Sequence, residues 1–220
     1  MPVLVHDGAV HIESNDILTY LDQTFPHARL IPAEYQNEMA ALLKHEDDLH
    51  FDLRALSFRF VFAPPVPPKS DEDLKRYAAG GSGTVQGRKD AGVAEQIDFW
   101  ERFGRHGIND ESARVSALKF RSAFNELDQR LARRSYLLGD TLTVLDVAWF
   151  VYANRLVLAG YPLARLHPIL AEWFAKLLAR PEFANEIDLP SPLKERFDAT
   201  RREHARAGKS LENVAGLAAA

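Results

Sequence analysis

The residues most able to do chemistry stand near the start of the chain. Glu13-Ser14 falls where a short β-type run, Val10 to Ile12, gives way to Ile17, Leu18 and Leu21 at helical spacing. A helix N-terminus presents free amides and a partial positive charge, and a serine hydroxyl placed there can bind a carboxylate. Ser14 can equally act as the N-cap of its own helix, because a cap and an anion site use the same amides. A second cluster, His45-Glu46-Asp47-Asp48-Leu49-His50, invites a metal reading. The zinc helix motif needs histidines four apart on one face, whereas these are five apart and diverge, so no metal is expected. His45, Asp48 and Asp52 instead recur at i, i+3 and i+7 as a polar ridge, and His50 with Arg54 makes an i, i+4 pair. Phe51, Phe58 and Phe62 beside that ridge are either pocket lining or ordinary packing. Gly80-Gly81-Ser82-Gly83 followed by Gly87-Arg88-Lys89 resembles a phosphate loop only in glycine content: no strand leads in and the Gly-Lys-Ser/Thr ending is absent.

These residues need elements to hold them. Val3 to Val5 and Val10 to Ile12 read as two strands joined at Asp7-Gly8, a pair suited to a tight hairpin. Ser14 opens a helix that ends before Phe25-Pro26. Residues 33 to about 62 read as one helix with Leu42, Leu49, Leu53, Leu56 and Phe60 as its core stripe, stopped by Pro64-Pro65-Val66-Pro67-Pro68. Lys69 to Asp90 is polar and is expected as a flexible loop. Val93, Ile97, Trp100 and Phe103 mark another helix, and Val115, Leu118, Leu127 and Leu131 one more. Thr143 and Asp146 then form a capping box, with Leu142 and Val147 placed as a hydrophobic staple. The helix they start, carrying Trp149, Val151, Tyr152 and Leu156, has almost no polar face and belongs in a core. Leu170, Trp173, Phe174 and Leu177 form an amphipathic helix closed by Arg180-Pro181, and Lys194 to Lys209 reads as a solvated helix or tail before a frayed Ala-rich end.

Tyr136-Leu137-Leu138-Gly139-Asp140 ahead of the box, with Pro168-Ile169-Leu170-Ala171-Glu172-Trp173 and Arg180-Pro181-Glu182-Phe183 after it, resembles the C-terminal helical domain of the glutathione transferases. Pro2-Val3-Leu4-Val5 with Glu13-Ser14-Asn15-Asp16-Ile17-Leu18-x-Tyr20-Leu21 resembles the second half of that family's thioredoxin-like domain. The resemblance implies a mostly α protein: residues 1–30 a partial thioredoxin-like domain of a β-hairpin and one helix, residues 31–200 the helical domain with a polar insertion at about 64–91, and residues 201–220 a tail. It also implies that Met1 and Pro2 belong to the glutathione site: Pro2 matches a cis-proline in the family, and the residue before it, here Met1, pairs with the peptide backbone of glutathione. Glu13 would take the ammonium of the γ-glutamyl end and Ser14 its carboxylate. His45, Asp48, Phe51 and Asp52 would border the acceptor cleft. A hairpin with one helix behind it is marginal in water and carries an unpaired edge. The expectation is therefore a true start upstream, the alternative being a short protein whose sheet a partner completes. In the family a serine, tyrosine or cysteine near the first helix stabilises the thiolate; no residue of this chain matches it, so the catalytic residue is not assigned, and neither His45 nor Tyr20 fills that role.

Composition bounds what is left. The chain has 220 residues, 46% of them hydrophobic, enough for a sizeable core. A net charge of −4 gives no electrostatic reason to expect nucleic acid or an anionic membrane. The absence of cysteine excludes disulfides, Cys-based zinc sites and a thiol nucleophile from the protein itself. With no signal-peptide pattern at Met1-Pro2-Val3-Leu4-Val5-His6-Asp7 and no long apolar run, the protein is expected in the cytoplasm. The function expected is transfer of glutathione to a small electrophile by a homodimer. A non-catalytic binding or scaffold protein of the same fold is the alternative, and a glutathione-dependent dehalogenase or isomerase the second alternative.

Overall fold

A computed structural model describes residues 2–25, 29–62, 66–80, 84–85, 88–89 and 92–217, with the backbone alone described at 84–85 and 88–89. The chain divides into two compact units, residues 1–31 with 67–107, and residues 32–66 with 108–220.

In the first unit, β1 (Val3–His6) and β2 (Ala9–Ile12) pair antiparallel in the register Val3↔Ile12 to His6↔Ala9. The turn holds Asp7 at φ 48° and Gly8 at φ 77°, the double left-handed conformation that suits the twist of a two-residue hairpin loop. Side chains alternate across the ribbon. Val3 and Val5 are 59% and 63% exposed on one face, while Leu4, His6 and His11 on the other are half-buried. Helix α1 (Ser14–Thr24) sends Tyr20 to that second face, where its hydroxyl meets His6 Nδ1 at 2.6 Å and its ring stacks on His11 at 3.7 Å. At the far end of α1 the buried Asp22 accepts from the amides of Leu30 and Ile31, which fixes the path of the chain leaving this layer.

Within the polar stretch expected as a loop, the described residues include a helix and two short strands. Ser70 accepts from the amide of Asp73 at 3.1 Å and donates to its carboxylate at 2.7 Å, which starts α4 (Asp71–Gly80). Two short strands, β3 (Thr84–Val85) and β4 (Arg88–Lys89), pair antiparallel after it, and α5 (Val93–His106) closes the unit by packing on α4. Ser70-Asp71-Glu72-Asp73 is a cap signal with acids in the first turn, and it outweighs the low hydrophobicity of the helix it starts.

The second unit is all-helical. The single helix expected over residues 33–62 is broken into a 3-10 turn (Ala33–Tyr35), α2 (Gln36–Asp47) and α3 (His50–Phe60). The break has a local cause: Nδ1–H of His50 donates to the Asp47 carbonyl at 2.8 Å, and the Leu49 amide bonds to Glu46 in a tightened i−3 turn. The core stripe also differs, since Met39 and Leu43 are buried in place of Leu42. Helix α6 (Asp110–Leu131) is started by Asn109, whose side chain accepts from the Ser112 amide, and it buries Ala113, Ala117, Phe120 and Phe124 rather than the 42% exposed Val115. Helix α3 packs on α6, with α7 (Val144–Leu158) against α2 and α3. Val151 is exposed, so α7 keeps one face out of the core.

Short α8 (Leu163–Leu166) leads to α9 (Pro168–Leu178), then α10 (Pro181–Ile187) and α11 (Ser191–Arg206). The expected tail folds back: α12 (Leu211–Val214) packs on α6 and buries Leu211, Ala215 and Leu217, while Arg165 ties Glu212 and the Leu217 carbonyl at 2.7 Å each. The interspersed charges of residues 194–209 hid this apolar anchor at its end. No described helix is long and apolar enough to cross a membrane.

Candidate functional site

Val3↔Ile12 is the last pair of the hairpin ladder, with Pro2 just before Val3 and Glu13 just after Ile12 in the chain. Glu13 occupies the cap position of α1 with φ 68° and ψ 125°, a conformation that costs a non-glycine residue about 1–3 kcal/mol. Ser14 is the first helical residue and not the cap expected from the sequence. The Glu13 side chain makes no cap hydrogen bond to this end of α1, and Pro2, Glu13 and Ser14 are all exposed. The N-terminus of α1 thus carries an exposed serine and an exposed glutamate, with the dipole of an 11-residue helix behind them. Strain in an exposed residue at such a point is the kind that functional sites keep. Met1 lies outside the described residues.

The ridge of the helical unit does not act as one group. Asp48 accepts from its neighbour Lys44 at 2.7 and 2.8 Å. Asp52 turns to α6, taking Ser116 Oγ at 2.7 Å and Lys119 Nζ at 2.9 Å. Exposed His45 has its ring 6.1 Å from Trp149, and Phe51 is flanked by His50 and Arg54. Among the described residues no group of three His, Asp or Glu side chains is arranged to hold a metal ion.

Sequence reasoning missed Glu46. Its side chain is 7% exposed between α2 and α7, and the buried Tyr152 hydroxyl donates to it. Burial raises its pKa to about 7, the Tyr152 hydrogen bond works against this, and the charge of Asp47 adds to it. Burial likewise holds the Tyr152 phenol well above its ordinary range, reinforced by Glu46. The signal was present: Met39, Leu43 and Glu46 fall on one stripe, which places a carboxylate where a core residue belongs.

At the start of α7, Asp146 Oδ2 accepts from the Thr143 amide at 2.9 Å and from its hydroxyl at 2.8 Å, completing the capping box. The other oxygen accepts from the Leu137 amide at 2.9 Å and from Trp173 Nε1 at 3.0 Å. One fully buried carboxylate thus joins the turn before α7, α7 itself and α9.

Comparison with known proteins bears on these features. The family model described as "Glutathione S-transferase, N-terminal domain" matches residues 1–29, and that described as "Glutathione S-transferase, C-terminal domain" matches residues 110–176. Protein LigF of Sphingobium sp. strain SYK-6 is 26% identical over 213 aligned residues, covering 92% of this chain and 75% of its own. The crystal structure of that protein, a beta-etherase, matches at a TM-score of 0.63 with 24% identity over 90% of this chain and 78% of the other. A glutathione S-transferase from Rhodospirillum rubrum F11 matches at 0.60 with 21% identity over 88% and 73% of the two chains. A glutathione transferase from Burkholderia graminis, solved with two glutathione molecules per subunit, matches at 0.50 with 21% identity over 84% and 63%.

Proposed function

The chain belongs to the glutathione S-transferase superfamily, and from that membership we propose that it binds glutathione and transfers it to a small electrophile. The observation that carries the reading is the placement of exposed Glu13 and Ser14 at the cap position and first residue of α1, inside the stretch matched by the family's N-terminal domain. In this reading the γ-glutamyl carboxylate of glutathione meets the α1 amides and Ser14 Oγ, and the ammonium beside it pairs with Glu13. Pro2, just before the last ladder residue Val3, flanks the peptide backbone, and Met1 belongs to the same proposed set. In this reading residues 1–30 serve as the glutathione-binding domain and residues 31–200 as the helical domain. A homodimer in the cytoplasm completes the reading.

The reaction is a nucleophilic displacement. A cysteine thiol ionises near pH 8.5, so at neutral pH a minor fraction of the glutathione is thiolate. The sulfur forms a bond to an electrophilic carbon, the bond to the leaving group breaks, and the leaving group departs with the electron pair and takes up a proton. The likeness to a beta-etherase supports an ether as the electrophile, with an alkoxide or phenoxide as the leaving group.

Incubation of the protein with glutathione and an ether bearing a good leaving group tests this. The expected products are the glutathione thioether and the freed alcohol or phenol in equal amounts, followed by mass spectrometry. Leaving-group release that does not depend on glutathione, or no thioether above the uncatalysed rate, would count against transfer and favour a binding protein of this fold.

A further inference from the structure

Between α4 and α5 the first unit leaves an open cavity of ≈ 550 Å3, walled by residues of that unit alone. Leu74 and Ala78 are four apart on α4, and Ile97 and Trp100 are three apart on α5, so each helix turns an apolar strip to the space. The volume falls within the roughly 300–1,000 Å3 of small-molecule sites. Trp100 is half-buried, with Phe99 and Phe103 edge-on to its ring at 5.7 and 5.8 Å, which props the indole as a platform. Lys69 Nζ sits 5.4 Å from the centre of that ring.

The rim decides the chemistry. Arg105 is neutralised by Glu101 at 2.5 Å, which leaves Lys69 and Lys75 against Asp71. An apolar floor with an indole on it selects a flat aromatic ring, and two ammonium groups against one carboxylate select a negative charge on that ring. We propose that the α4–α5 groove is a binding site for a small aromatic carboxylate, its ring stacked on Trp100 and its acid group held by Lys69 and Lys75. This site is separate from the α1 terminus and does not depend on the glutathione reading.

The protein supplies its own probe. Of its three tryptophans, Trp149 and Trp173 are 1% and 3% exposed, so Trp100 is the one that a ligand from solvent can touch. Titration with 4-iodobenzoate, whose heavy atom quenches an indole on contact, should give saturable quenching, and this should persist in excess glutathione. Lys69→Ala with Lys75→Ala should weaken binding roughly tenfold, as should the uncharged 4-iodobenzamide. Trp100→Phe should remove the quenching, with circular dichroism confirming that each variant is folded. Equal affinity for the acid and the amide, undiminished binding in the double lysine variant, displacement by glutathione, or no saturation below about 10 mM would each overturn the proposal.

Discussion

A single carboxyl group gives the helical unit a pH dependence of its own. Glu46 ionises at about 7 in the fold against 4.5 when solvated, so between those values the native state holds a proton that the unfolded chain has released. Stability from this group is therefore intact below about pH 4.5 and declines as pH rises through 7. Glu46→Gln keeps an acceptor for the Tyr152 hydroxyl and removes the titration. Thermal unfolding followed from pH 5 to 8 should show the variant gaining on the wild type as pH rises, by up to about 3 kcal/mol. A gap that stays constant with pH would show that Glu46 is not held neutral. Glu13 illustrates the opposite placement of a carboxylate: exposed, on a strained backbone, at the start of a helix.

Two helix starts express two purposes at the scale of elements. Helix α7 is closed by its own sequence, through Thr143 and Asp146, and its end is buried. Helix α1 follows Glu13, whose side chain makes no cap hydrogen bond. Asp146→Ala should cost about 3–5 kcal/mol, because it removes the cap and strands the Leu137 amide and the Trp173 indole in the core, whereas Thr143→Ala should cost nearer 1 kcal/mol. Urea unfolding measures both, and equal losses for the two would mean that Asp146 works only as a cap. The elements most open to sequence reading were those fixed by short-range chemistry: the hairpin at Asp7-Gly8, the box before α7, and α9 behind Pro168. Those misread involve competition. His50 takes the Asp47 carbonyl and splits what periodicity joined, and Ser70 starts a helix in a segment whose composition suggested none.

Over the whole molecule, family and fold class were legible because the two recognisable stretches lie at its opposite ends, one in each unit. The α4–α5 insertion was not, since its packing with the N-terminal layer in one unit is a long-range choice that no local pattern states. Glu13-Ser14 was legible as a pair at a helix start, where residue type and helix position coincide. Glu46 was not legible, since a buried carboxylate reveals itself only when burial is known.

The central claim is that the open end of α1 receives the γ-glutamyl carboxylate of glutathione. Calorimetric titration of glutathione into the protein and into Ser14→Ala tests it most directly. The account predicts saturable binding by the wild type and a loss of roughly tenfold in the variant, the worth of one charge-assisted hydrogen bond. Equal affinity for the two proteins, or no heat of binding from either at millimolar glutathione, would contradict it.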